Sequence, residues 1–174
     1  MDENRKQLTL FIEESNINIE KIRAKYNSEQ YNLISAHITL CREDEIKSID
    51  KVIQRIKSIT LKKPIRIKFK NVVRFSDGKG ILIPATYRNI EFRELRKSVL
   101  GQRKLNKEQF PHITLMHPRN SICTDEIFEQ IKELELPTEL EFGKISLIEQ
   151  INGGKWNILK EFNILNKNVE PYRV

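Results

Sequence analysis

The tetrapeptide His-Ile-Thr-Leu occurs twice in this 174-residue chain, at residues 37–40 and again at 112–115. The chain has only three histidines, and two of them sit inside this phrase. On a strand alternate side chains share a face, so His37 and Thr39 point one way while Ile38 and Leu40 point the other. His112 and Thr114 repeat the pattern over Ile113 and Leu115. Each phrase therefore sets an imidazole and a hydroxyl about 7 Å apart along a strand, on an apolar backing that can pack beneath helices. A single His beside a Thr is ordinarily a structural pair. Two copies with identical neighbours make a far more specific signal.

Histidine exchanges a proton near neutral pH, and two imidazoles across a cleft can serve as base and acid in one reaction. Threonine hydroxyls can hydrogen-bond the non-bridging oxygens of a phosphodiester and the charge that builds on them. His37, Thr39, His112 and Thr114 thus suit in-line attack at phosphorus without a metal. A metal centre is disfavoured: His37, His112 and His117 show no short ligand spacing, and the acids of "CREDE" suit a helix N-terminus. His117 lies five positions past His112 and directly before Pro118, so it is expected to face away from the cleft as a rim or loop residue. Cys41 and Met116, each two positions past a motif threonine, are expected to line the cleft as apolar side chains, with no case for a thiol nucleophile. Trp156, Tyr87 and Phe75 could stack a base, but aromatics more often fill a core, and that is the expectation here.

The elements that must position these groups follow from periodicity and turn chemistry. "QLTLFIEE" reads as a strand, and "SNINIEKIRAKY" as a short capped helix with Ile17, Ile19, Ile22 and Ala24 apolar. "NSEQYNLIS" reads as an irregular lead-in to the strand "AHITLC". "REDEIKSIDKVIQRIKSI" has acids first, bases last and one isoleucine-rich face, which predicts a single amphipathic helix. "PIRIKFKNVVRF", the turn "SDGKG" and "ILIPATY" predict a hairpin, followed by the helix "EFRELRKSVLG" ending at Gly101. "FPHITLM" is a strand, and "TDEIFEQIKELEL" a helix capped by Thr124. "ELEFGKISLIEQ", "INGGK" and "WNILKEFNIL" predict a closing hairpin. Helices mixed with hairpins favour an α+β fold, and the matching places of the two phrases point to two similar lobes facing each other.

Length and a 39% apolar content fit one domain over residues 1–174. The opening residues lead into only a short apolar run, with no signal h-region or membrane span, and two cysteines read as reduced thiols, so a cytoplasmic protein is expected. Formal charge is +7, unevenly spread: residues 51–104 hold 16 Lys and Arg against three acids, a net +13. An anion is expected to be drawn to this middle segment, with "RIKFK" and "YRNIEFRELRK" as candidates for phosphate contacts.

On its two phrases the chain resembles the two-histidine (2H) phosphoesterase superfamily, and in particular its 2'-5' RNA ligase-like members. The family's signatures map to His37-Ile38-Thr39 and His112-Ile113-Thr114, each preceded by a small or proline residue, Ala36 or Pro111, and followed by Leu40 or Leu115. The likeness extends over about residues 7–165. It implies a bilobal, pseudo-twofold α+β fold, with two antiparallel sheets facing a central cleft and helices packed outside. It also implies hydrolysis, or reversible ligation, at 2',3'-cyclic or 2'-5' phosphodiesters with no metal, ATP or other cofactor. The partner expected is RNA or a nucleotide cyclic phosphate, with no membrane and no obligate protein partner. The alternatives are an RNA-binding module that keeps the fold to hold a phosphate terminus, and a metal-dependent hydrolase.

Overall fold

The structure, a computed structural model, describes residues 4–13 and 17–166. In chain order the elements are β1 (Asn4–Phe11), α1 (Ile17–Tyr26), α2 (Ser28–Leu33), β2 (His37–Cys41), α3 (Ile49–Ser58), β3 (Ile65–Lys68), β4 (Val73–Arg74), β5 (Ile81–Pro84), α4 (Ile90–Leu100), β6 (His112–Met116), α5 (Asp125–Lys132), β7 (Glu139–Phe142), β8 (Lys144–Ile151) and β9 (Asn157–Asn163). The cap read at Ser15 and Asn16 lies outside the described residues, as does the Ile17 side chain. No helix among the described residues is long and apolar enough to cross a membrane.

The strands form antiparallel sheets, as expected for an α+β fold. The first has the order β2-β1-β8-β9 and the second β4-β5-β6, with β3 paired to β7. A bridge between Phe69 and Ala85 joins these last two groups. It is flanked by the Lys70 N–H donating to Pro84 O and the Thr86 N–H donating to Lys68 O, both at 2.8 Å. Strands β3 and β4 therefore use the same edge of β5 and are one predicted strand interrupted between residues 69 and 72. Each half thus carries its His-Ile-Thr-Leu strand, β2 or β6, at a sheet edge.

The halves also interlock. Helix α1, from the first half, packs on β6, and α4, from the second, packs on β2 and β3. Ile38, Leu40, Ile113 and Leu115 are fully buried in one contiguous core with Leu8, Ile81, Phe92 and Val99. Ordered caps follow the expected chemistry. Thr124 Oγ1 accepts from Ile127 N at 3.2 Å, and Gly101 closes α4 at φ 66°, a left-handed conformation that glycine adopts without a Cβ penalty.

Three elements depart from the sequence reading. The segment read as an irregular lead-in contains α2, a six-residue helix with no buried residue and hence no apolar period to betray it. The single helix predicted from residue 42 is a 3-10 turn at Glu43–Glu45 followed by α3. The acids of that turn are held by bases from elsewhere: Arg5 to Glu43 at 2.9 Å, Lys107 to Asp44 at 2.6 Å and Arg96 to Glu45 at 2.5 Å. Finally "ELEFGKISLIEQ" is two strands in different sheets. The chain changes sheet at Gly143, where a Cβ would press into the Leu165 side chain.

One irregularity is repeated in both halves. Thr9 pairs with Thr39 but Leu8 with Cys41, leaving Leu40 as the extra residue of a β-bulge. In the second half Leu82 pairs with Thr114 and Ile81 with Met116, leaving Leu115 in the same place. A bulge breaks the two-residue alternation of faces, so Leu40 and Cys41 are both buried, as are Leu115 and Met116.

Candidate active site

A cleft of ≈ 520 Å³ runs between the halves, and His37, Thr39, His112 and Thr114 all line it. The two histidines are held alike. His37 Nδ1 lies 2.8 Å from Ser35 O and His112 Nδ1 lies 3.0 Å from Phe110 O. A carbonyl only accepts, so Nδ1 carries the hydrogen in each ring and Nε2 is the nitrogen left for chemistry. Each ring also meets a phenylalanine edge to face at 6.1 Å, Phe11 for His37 and Phe75 for His112. Phe75, expected in the core, buttresses a motif histidine instead.

Burial lowers His37 to about 4 from an ordinary imidazole value of 6.5, with Arg23, His112 and His117 acting in the same direction and the Ser35 carbonyl opposing. His37 is therefore a neutral imidazole at pH 7. Cys41 is no part of the cleft: it is fully buried, and burial pushes its thiol up to about 12. Met116 is likewise in the core, so both lining expectations are corrected by the bulge, which turns these positions inward.

The same bulge corrects the placement of His117. Five positions past each motif histidine stand Arg42 and His117, and both line the cleft. The backbone N–H of Arg119 donates to His117 Nδ1 at 3.2 Å, so its neutral ring carries hydrogen on Nε2, the opposite arrangement to His37 and His112. Burial, then Arg119, lowers its affinity for a second proton. His117 thus offers the cleft a neutral N–H donor.

Cations in the cleft come from Arg5, Arg23, Arg42 and Arg119, and none from residues 51–104. The basic middle segment, expected to supply phosphate contacts, lies elsewhere. Arg23 is committed to Glu20 at 2.6 Å and to Ile34 O at 2.6 Å. The Arg42 backbone N–H donates to Glu45 Oε2 at 3.0 Å, but among the described residues neither the Arg42 nor the Arg119 guanidinium has a carboxylate within 4 Å, so their charge is open to an anion. Trp156 lines the cleft beside Arg5, whose guanidinium carbon sits 5.6 Å from the ring centroid, rather than filling the core. Gln7 and Gln150 complete this wall. Gln7 was legible in principle, because "QLTL" alternates polar and apolar, whereas Arg5 was not, because Arg5, Lys6 and Gln7 are all polar. Among the described residues no three or more of His, Cys, Asp or Glu come together in a metal-binding group.

Two similar halves and paired histidines facing one cleft define a two-histidine phosphoesterase fold. The chain belongs to the 2'-5' RNA ligase superfamily, whose family model matches residues 12–154. Its fold is shared by TT0787 of Thermus thermophilus, at 14% identity and a TM-score of 0.58, covering 92% of this chain and 97% of that one. Escherichia coli LigT in apo form gives a TM-score of 0.56 at 15% identity, over 96% of this chain and 100% of that one. LigT complexed with NADP+ gives 0.55 at 14% identity, over 94% and 98%. No curated protein matches the chain in sequence.

Proposed function

We propose that the protein is a metal-independent phosphoesterase that cleaves 2',3'-cyclic phosphate or 2'-5' phosphodiester bonds of RNA or nucleotides, with His37 and His112 as its acid–base pair. The observation that carries this reading is the matched tethering of both imidazoles through Nδ1, which leaves two Nε2 atoms for one cleft. Arg42 and Arg119 supply charge for the phosphate. E. coli LigT, which shares the fold, has been solved with phosphate and with 3'-AMP, and this supports a phosphate or nucleotide in the corresponding cleft.

In hydrolysis of a cyclic phosphate, neutral His37 takes a proton from water as its oxygen attacks phosphorus. The bond to the leaving ribose oxygen breaks, and His112 gives that oxygen a proton. Thr39 and Thr114 hydrogen-bond the non-bridging oxygens as their charge grows. With a ribose 5'-hydroxyl in place of water as nucleophile, the same transfers form a 2'-5' bond as the bond to the 3'-oxygen breaks and that oxygen takes the proton; the reverse step, attack by the 3'-hydroxyl with the 5'-oxygen leaving, restores the cyclic phosphate, so ligation is reversible. On this proposal residues 1–174 act as one domain of two similar lobes, each supplying one His-Ile-Thr motif.

The test is turnover of 2',3'-cyclic AMP and a 2'-5' linked dinucleotide in excess EDTA. His37→Ala and His112→Ala should each cost about 10²- to 10⁴-fold in kcat, and Thr39→Ala or Thr114→Ala about 10- to 10³-fold. Activity abolished by EDTA and restored by a divalent metal would sink the mechanism. Tight nucleotide binding with no turnover would leave a binding module in its place.

A further inference from the structure

Residues 51–104 carry a net +13, yet none of them lines the cleft. Two of its cations, Lys70 and Arg88, stand beside an exposed aromatic pair where β5 runs on toward α4 and the chain enters β6. Tyr87 is 78% exposed and Phe110 62%, and their rings meet edge to face at 6.2 Å. Ile90, 66% exposed, stands three positions further on. The bridge between Phe69 and Ala85 brings the end of β3 alongside, and Lys70 Nζ lies 4.3 Å from the Tyr87 ring centroid. Lys70 and Arg88 are exposed, and among the described residues neither has a carboxylate within 4 Å.

Large apolar rings this exposed carry a cost in water that folding does not explain, since neither ring contributes to the buried core. The core of a protein–protein interface is depleted in charged residues, lysine among them. Here the rings sit among unpaired cations, the combination that recognises bases by their faces and a backbone by its phosphates. The patch is also continuous with the candidate site. Phe110 is two residues from His112, and its carbonyl accepts the His112 Nδ1 hydrogen.

We propose that Tyr87, Phe110, Lys70 and Arg88 form a platform for single-stranded RNA, which holds the nucleotides flanking the bond presented to His37 and His112. It rests on the phosphoesterase reading and narrows it: the substrate is an RNA strand end, and a free cyclic mononucleotide is a minimal version of it.

The experiment compares a ten-nucleotide single-stranded RNA ending in a 2',3'-cyclic phosphate with 2',3'-cyclic AMP. RNA affinity is read by anisotropy on His112→Ala protein, and turnover of both substrates on protein with His112 intact. Tyr87→Ala should weaken RNA binding by about 10- to 100-fold, the loss of one stacked base. Lys70→Gln with Arg88→Gln should flatten the slope of log affinity against log salt by about 1.4. In both backgrounds the effect on the RNA should exceed that on cyclic AMP by at least about fivefold. RNA binding indifferent to all three changes would overturn the platform and leave the patch to a protein partner. Equal losses on both substrates would overturn it too, because the residues would then act on the cleft. Failure of the underlying reading looks different: RNA is held through the platform, but neither substrate is turned over.

Discussion

His37 and His112 share a tether and a ring contact, and the surroundings of His37 set the expected pH response. A general base must be neutral to work. His37, lowered to about 4 by burial, keeps its lone pair well into acid, so the acid limb of kcat/KM should fall near pH 4 instead of near 6.5. A pH profile on 2',3'-cyclic AMP checks this, and an acid limb near 6.5 would remove His37 from the base role. All four motif residues were legible because a repeated phrase outweighs each weak single instance. His117 and Arg42 were not, since a strict two-residue alternation sends them away from the cleft and only the bulge brings them back.

Among the elements, one cross-link between halves is a buried side-chain network that no sequence pattern announces. Arg96 on α4 pairs with Glu45 at 2.5 Å and bonds Gln109 Oε1 at 2.9 Å and the Leu40 carbonyl. Gln109 in turn donates to Thr39 O at 2.9 Å. Arg96 and Glu45 are 1% and 8% exposed at the side chain, so removing one leaves the other as an unpaired buried charge. Arg96→Ala should destabilise by about 3–5 kcal/mol in denaturant unfolding, and Arg96→Ala with Glu45→Ala by less than the sum of the two. A loss under about 0.5 kcal/mol for Arg96→Ala would show the network to be slack. Regular amphipathic elements, α3 and α5 above all, could be read from periodicity alone. The acids at residues 43–45 misled because a helix N-terminus and a set of ion pairs ask for the same residues, and only the tertiary partners distinguish them.

For the whole molecule, burying a neutral imidazole makes stability depend on pH. The folded value of His37 lies below the unfolded one, so between about 4 and 6.5 the unfolded chain binds more protons and stability rises with pH. His117 is shifted the same way and adds to the effect. The unfolding midpoint should therefore drop as pH falls through that window, and His37→Gln should flatten the slope. An unchanged slope in His37→Gln would place the proton linkage elsewhere. Net charge was read correctly in amount, but a sum over residues 51–104 carries no direction: none of its cations lines the cleft, while Lys70 and Arg88 are exposed beside Tyr87.

The position of β2 and β6 at sheet edges has a consequence for solubility. "HITLC" and "HITLM" are short, uncharged, β-branched segments, the kind that recruits other chains when an edge is bare. Here the carbonyls of Thr39 and Leu40 are occupied by Gln109 and Arg96 from the opposite half. The second half thus guards the β2 edge against aggregation. Damage that loosens the join between the halves would show as self-association before any loss of secondary structure.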